Sequence, residues 1–354
     1  MTLKAADKNR ATSRRQFLAR CDLADTQLIP LGQDASFRRY FRLPTGQGTL
    51  LLMDAPPGQE NVAAFTRVAQ HLCALGLRAP HVHQADTEHG FALLEDFGND
   101  TFTALISAGE DESELYALAI DVLTTLHAHP QAAAITLPPY DLGRLLDEAL
   151  LLPDWYAPAL TGEPTTAAER EAYRHIWQKV IAALPPPATT LVLRDFHVDN
   201  LMRIPGEAGP CAIGLLDFQD AVIGPVAYDV VSLLEDARRN IDPGLVITMR
   251  RRYLEAMPLL EVDNFNAWYP ILGAQRHCKV AGIFVRLAAR DGKNIYLQHV
   301  PRVMRLLQEN LTHPLLRELT QWLDERVPGR HGDVPEMNIS ALRQRLGRTE
   351  SANP

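Results

Sequence analysis

No two cysteines are spaced for a metal: Cys21, Cys73, Cys211 and Cys278 stand far apart and form no CxxC pair, so neither a zinc site nor a disulfide framework is expected. Apolar runs long enough to span a bilayer are also missing. Residues 16–28, which follow Lys4, Lys8, Arg10, Arg14 and Arg15, lack the continuous apolar core of a signal peptide. Nor is there an excess of positive charge. Lys and Arg number 35 against 43 Asp and Glu, a net charge of -8. A general nucleic-acid or membrane surface starts by neutralising phosphates, so neither partner is expected. These absences leave a chain with reduced cysteines, cytoplasmic by default, whose partners are small molecules. There is no internal repeat, and only the tail after Gly329 reads as loosely ordered.

What is present fits an ordinary globular protein, with 46% hydrophobic and 22% charged residues in 354. Single cores stop growing at roughly 250–300 residues, so two lobes with a cleft between them are expected. Residues 28–55 read as strands around a turn-rich loop, with Tyr40-Phe41-Arg42-Leu43 and Leu50-Leu51-Leu52-Met53 as a hairpin. Val62, Phe65, Val68, Ala69 and Leu72 fall at helical spacing and end at Gly76, a natural stop. Phe91-Ala92-Leu93-Leu94 is a further strand, followed by the polar stretch Glu95-Asp96-Phe97-Gly98. Beyond it the pattern turns mainly helical, with helices at 113–127 and 166–184 and more from Tyr228 to about Leu323. The boundary is placed there: residues 1–97 form one lobe and 98–354 the other.

Two acidic clusters stand at the ends of short apolar runs. One is Arg194-Asp195-Phe196-His197-Val198-Asp199-Asn200 after Leu191-Val192-Leu193; the other is Asp217-Phe218-Gln219-Asp220 after Ile213-Gly214-Leu215-Leu216. Phosphoryl transfer needs oxygen ligands for Mg²⁺, a carboxylate aimed at the acceptor hydroxyl and a shielded nucleotide pocket. The spacing supplies these parts. Asp195 is the expected base that orients the hydroxyl, Asn200 offers an amide oxygen to the metal, and Asp217 bridges metal and phosphates, with ATP and Mg²⁺ as cofactors.

The flanking residues make the chain resemble the aminoglycoside phosphotransferase family, whose fold is similar to that of protein kinases. Leu126-His127-Ala128-His129-Pro130 resembles the family's "LHxxP" helix end, and residues 193–200 its "HGDxHxxN" loop, with Leu193-Arg194 replacing His-Gly. Asp217-Phe218 matches the metal-binding position, and Gly224-Pro225-Val226-Ala227-Tyr228-Asp229 the segment that follows. Within the family the chain is most similar to bacterial anomeric kinases of cell-wall amino sugars. That likeness rests on Asp34-Ala35-Ser36-Phe37-Arg38-Arg39-Tyr40-Phe41-Arg42, Leu52-Met53-Asp54-Ala55-Pro56-Pro57, Leu216-Asp217-Phe218-Gln219-Asp220-Ala221 and residues 275–293.

The resemblance implies an α+β, bilobal protein-kinase-like fold with a small β-rich N-terminal lobe and a larger, mainly helical C-terminal lobe. It implies a monomeric, ATP-dependent kinase that phosphorylates the C1 hydroxyl of N-acetylmuramic acid, N-acetylglucosamine or both, in peptidoglycan recycling. An antibiotic-directed phosphotransferase and a nucleotide-binding pseudokinase are the alternatives. The backbone of Glu95 and Phe97 is expected at adenine, and Gly32, Ala35, Ser36 and Phe37 at phosphate. Arg194, beside Asp195, is expected at the substrate, with His197 and Asp229 as braces.

One departure carries its own expectation. The strand that in relatives bears a phosphate-holding Lys or Arg reads Leu51-Leu52-Met53-Asp54 here, so a cation from Arg38, Arg39 or Arg42 is expected to replace it; alternate strand positions would face the cleft, and which of the three does so is open. Glu95 and Asp96 read as ordinary linker side chains. Arg276, Lys279, Arg286 and Arg290 share a helical stripe, read either as ion-paired or as an anion site for a sugar carboxylate.

Overall fold

The computed structural model describes residues 3–32, 37–46, 48–330 and 339–346. Packing divides the chain into two compact units, residues 1–135 with 195–221 and residues 136–194 with 222–354. The cut expected after Phe97 follows the end of the N-terminal sheet, whereas the packing units are not contiguous in sequence.

The first unit is built on a five-stranded antiparallel sheet of order β1-β2-β3-β5-β4, from β1 (Ile29–Pro30), β2 (Arg39–Thr45), β3 (Gly48–Asp54), β4 (Val82–Asp86) and β5 (Phe91–Glu95). Arg42 pairs with Leu51 and Leu52 with Leu93 across the central ladders. Because strand side chains alternate, one face collects Phe41, Leu43, Leu50, Leu52, Phe91 and Leu93. That face packs on Phe17 and Leu18 of α1 (Leu3–Arg20). The opposite face presents Tyr40, Arg42, Leu51 and Leu94.

α1 had no counterpart in the expected elements, and its attachment explains why. Arg10 and Arg14 of α1 pair with Asp54 at 2.6 and 3.0 Å, and their guanidinium groups sit over Phe91 and Phe41 at 3.9 and 4.3 Å. Helix α2 (Val62–Ala74) starts where Asn61 accepts from the Ala64 N–H and stops at Gly76, whose φ of +79° suits glycine. Helices α3 (Phe102–Ser107) and α4 (Glu112–Ala128) follow, then a two-stranded ladder of β7 (Leu201–Arg203) and β8 (Ile213–Leu215).

The second unit is helical: α5 (Leu142–Ala149), α6 (Ala157–Thr161), α7 (Ala167–Ala182), α8 (Ala227–Leu234), α9 (Pro243–Ala256), α10 (Val262–Asp291), α11 (Val300–Asn310), α12 (Arg317–Arg326) and α13 (Ile339–Arg345). A two-stranded ladder there pairs β6 (Thr189–Val192) with β9 (Val222–Pro225). α10 is its axis. Ile271, Ala274, Cys278, Ala281, Val285 and Ala288 of α10 share a core with Trp155, Trp177, Met304 and Leu307. Gly282 must be glycine, since a Cβ there would stand 2.2 Å from the Leu151 carbonyl oxygen. Among the described residues no helix is long and apolar enough to cross a membrane.

Candidate active site

In the first unit a pocket of about 350 Å³ lies against the second face of the sheet. Leu31, Leu51, Pro80, Leu94, Met202 and Leu216 make its apolar walls, and Arg38, Asn200 and Asp217 its polar end. Mixed walls of this kind, apolar with a few convergent polar groups, are what a small-molecule site requires.

The loop that bears Asp195 is fixed by its own hydrogen bonds. Asn200 donates its side-chain N–H to the Asp195 carbonyl at 2.9 Å, which leaves Oδ1 as its ligand atom. The Asn200 N–H donates to the His197 carbonyl at 2.9 Å, and the Leu216 N–H to the Asn200 carbonyl at 3.0 Å, so the loop and the strand leading to Asp217 are tied together. His197 is 4% exposed, and its Nε2 stands 3.4 Å from the Asn200 amide. Thr103 of α3 donates to Asp199.

Asp217 has φ of +58°, a left-handed conformation that Asp tolerates better than most residues and that turns the chain sharply at the end of β8. The next residue, Phe218, is buried and stacks on Phe65 of α2 at 4.9 Å. Arg38 donates to Asp217 Oδ1 at 2.6 Å and to Gln219 Oε1 at 2.5 Å, and its Nε lies 3.5 Å from Glu60. Burial works against its charge, but Tyr40, Asp217 and Glu60 together outweigh it and raise the guanidinium's pKa.

The three candidate arginines thus separate. Arg38 and Arg42 line the pocket; Arg39, the odd position between them, does not. Arg42 forks onto Asp96 at 2.6 and 3.0 Å and reaches the Gly98 carbonyl at 2.9 Å. Asp96 is therefore no ordinary linker side chain. Burial raises its pKa, yet the hydrogen bonds from Arg42 and the Gly98 N–H bring it below the usual carboxylate value. Glu95 is held by Arg78 and by the His81 N–H, at 3.2 Å from the latter. Phe97 packs so closely on β8 that a Cβ at Gly214 would come within 2.6 Å of its ring.

Ala35 and Ser36 lie outside the described residues. Gly32 and Phe37 are described, but neither lines the pocket. The Phe37 N–H, expected at phosphate, donates to Glu60 at 3.1 Å, and Phe37 is 51% exposed. Glu60 and Gln219 were missed; one precedes a helix cap and the other follows a metal-type Asp, and nothing in sequence joins either to Arg38.

The second unit holds the peptide of Arg194 from both sides. Asp229, fully buried, accepts from the N–H groups of Leu193 and Arg194 at 2.6 and 2.9 Å. The Arg194 carbonyl accepts from Arg276 at 2.9 Å and from Ser232 at 3.2 Å. Arg194 itself has φ of +72°, a left-handed conformation that glycine adopts most readily and that the loop pattern this segment resembles fills with Gly. Its guanidinium pairs with Glu148, which also lies 3.3 Å from Lys279 and accepts from Tyr140. Of these, Lys279 was singled out from sequence as part of the α10 stripe, whereas Glu148 and Tyr140 were not. The stripe of α10 is no single surface: Arg276 and Lys279 are buried in this network, Arg286 is half-buried and Arg290 pairs with Asp291 at 2.7 Å.

Residues 27–263 match the model of the phosphotransferase enzyme family (APH). An N-acetylmuramate/N-acetylglucosamine kinase of Caulobacter vibrioides is 35% identical over 93% of this chain and 99% of its own length. The enzyme of that name from Neisseria meningitidis serogroup B is 38% identical over 80% and 85%. In fold, the chain is similar to an aminoglycoside 2'-phosphotransferase-IIIa solved with GDP, at a TM-score of 0.58 and 16% identity over 86% of this chain and 99% of that one. The α+β, protein-kinase-like architecture expected from sequence, an antiparallel sheet followed by a mainly helical part, is present, and the chain belongs to the phosphotransferase enzyme family.

Proposed function

We propose that this protein transfers the γ-phosphoryl group of ATP to the anomeric C1 hydroxyl of N-acetylmuramic acid and N-acetylglucosamine, as a cytoplasmic, monomeric sugar kinase. The observation that carries the kinase reading is the single pocket that unites apolar walls with Arg38, Asn200 and Asp217. The names of the relatives carry the choice of sugar.

The assigned roles follow from chemistry. The segment 95–98, braced by Arg42, offers backbone groups to adenine, with Leu51, Leu94, Met202 and Leu216 around the ring; residues 1–97 then act as the nucleotide-binding lobe. Arg38 holds phosphate oxygens, as the missing strand lysine would. Asp195 orients the sugar hydroxyl and takes its proton, a task that asks for position more than for a raised pKa in a loose transition state. Arg194 serves through its peptide, which Asp229, Ser232 and Arg276 fix next to Asp195 in the chain.

The residues fit Mg²⁺. The described residues contain no group of three or more His, Cys, Asp or Glu able to hold a metal, but Mg²⁺ in kinases takes one or two protein carboxylates and completes its shell with phosphate and water. Asp217 and Asn200 Oδ1 are the groups to hold it. Bound there, it would neutralise charge on the transferring phosphoryl group.

Incubation of the purified protein with Mg·ATP and N-acetylmuramate, N-acetylglucosamine or kanamycin, followed by ³¹P and ¹H NMR, tests the proposal. The expected product is a sugar 1-phosphate from the amino sugars. Phosphate on another hydroxyl, or transfer to the antibiotic alone, would overturn it.

A further inference from the structure

A second cavity, of about 520 Å³, lies wholly within the second unit, where the chain leaving α8 meets α9, α10 and α11. Its lining includes Arg250, Arg302 and Arg305, and among the described residues none of the three has a carboxylate within ion-pair distance. They are held by amides instead. Arg302 and Arg305 both donate to Asn240 Oδ1 at 2.7 Å, Arg302 also reaches the Ala237 carbonyl at 3.3 Å, and Arg250 donates to Asn266 at 2.6 Å while lying over the Tyr269 ring at 4.4 Å. Burial and the neighbouring Arg305 lower the pKa of Arg302, against a smaller opposing effect of Asp236, as befits cations gathered without full counter-charge.

Among the described residues, Asp236 acts on Arg302 only at a distance and no acid of the lining forms an ion pair with these cations. Glu235 accepts from His277 and Asn310, each at 2.7 Å, and Glu309 is exposed. Asp236 is 3% exposed, and although its Oδ1 accepts from the Arg238 N–H at 2.7 Å, its Oδ2 is buried with no hydrogen-bond partner. A buried carboxylate oxygen without a donor is costly, and a ligand that brings a hydroxyl or amide N–H relieves that cost. Guanidinium groups held in place without an acid ask for an oxyanion.

We propose that this cavity binds a sugar acid, with Arg302 and Arg305 on its carboxylate and Asp236 on a hydroxyl or amide N–H. The inference rests on the amino-sugar reading above and sharpens it. N-acetylmuramate carries a carboxylate and N-acetylglucosamine does not, so the cavity takes the former in preference to the latter.

Isothermal titration calorimetry of the full chain with each sugar, and kcat/KM for each, would be measured on the wild type, Arg305→Gln, the Arg302→Gln/Arg305→Gln pair and Asp236→Asn. Arg305 is exposed on α11, so its single variant folds even where the pair does not. The expected result is N-acetylmuramate binding weakened tenfold or more by the arginine changes. The kcat/KM ratio of N-acetylmuramate to N-acetylglucosamine should fall by a similar factor, and Asp236→Asn should weaken both sugars. Folded arginine variants that keep the wild-type affinity and ratio would overturn the inference, as would a wild type that does not bind N-acetylmuramate. Turnover of neither sugar, with N-acetylmuramate binding still lost in the variants, would instead overturn the proposed function and leave the cavity assigned.

Discussion

Arg38 and Asp217, 179 residues apart in sequence, meet through a 2.6 Å hydrogen bond at the polar end of the first unit's pocket. The contact sets a guanidinium beside the carboxylate assigned to the metal, where the β- and γ-phosphates need a cation. Arg38→Ala should raise KM for ATP and lower kcat. A charge-assisted hydrogen bond contributes about 1.5–3 kcal/mol, roughly ten- to 150-fold in kcat/KM. Arg39→Ala should stay near wild type, because Arg39 is exposed and points to the other side of the strand. Arg42→Ala should act mainly on KM for ATP, through the segment it braces. Steady-state kinetics with ATP as varied substrate check all three, and a near-wild-type Arg38→Ala would place the cation elsewhere.

Asp195→Ala and Asp217→Asn should each remove turnover without unfolding the protein. A positioned base contributes about 10²–10⁴-fold, so Asp195→Ala should act on kcat with little change in KM. At Asp217 the choice of Asn matters. With φ of +58° the position disfavours Ala, while Asn tolerates that backbone and removes only the charge. Coupled ADP release and thermal unfolding, measured side by side, separate loss of chemistry from loss of fold. Wild-type-like activity in either variant would refute the mechanism.

Legibility followed locality. Asn200 and Asp217, which line one pocket, could be picked out because each follows an apolar run, as does the proposed base Asp195, and α2 because its apolar period and Gly76 are both local signals. α1 could not. Its hold on the sheet comes from Arg10 and Arg14 pairing with Asp54 and stacking on aromatic rings, contacts that leave no apolar period in residues 3–20. Strand alternation leaves Arg38 and Arg42 as candidates for the proposed phosphate cation, and it is Asp96, engaging Arg42 from 54 residues away, that favours Arg38. Glu148 was invisible for the same reason: only the fold brings Tyr140, Arg194 and Lys279 around it.

Asp229→Ala should destabilise the second unit strongly. Two N–H groups, of Leu193 and Arg194, lose their common acceptor at a position with no solvent access, and each unsatisfied buried donor costs about 1–3 kcal/mol. Asp229→Asn keeps one acceptor oxygen and should fall between. Urea denaturation measures the loss, which should appear in the midpoint. Activity should drop too, because the peptide preceding Asp195 loses its anchor.

Glu148 gives the stability a defined acid limb. Burial alone would raise its pKa from the ordinary 4.5, but Lys279 and Arg194 outweigh burial and hold it lower. A carboxyl group with a depressed folded-state pKa contributes its full stabilisation above the unfolded value of 4.5 and loses it as pH falls through the folded value. Glu148→Gln removes this charge while Arg194 and Lys279 keep theirs, 14% and 7% exposed respectively. Breaking a buried ion pair on one side costs about 3–5 kcal/mol. The gap in unfolding free energy between wild type and Glu148→Gln should therefore be widest at pH 6–7 and narrow below about pH 4.5, as the wild-type carboxylate takes up its proton. Urea unfolding of both proteins from pH 4 to pH 7 reads the gap directly, and parallel curves across that range would show that Glu148 is not what balances the two buried cations.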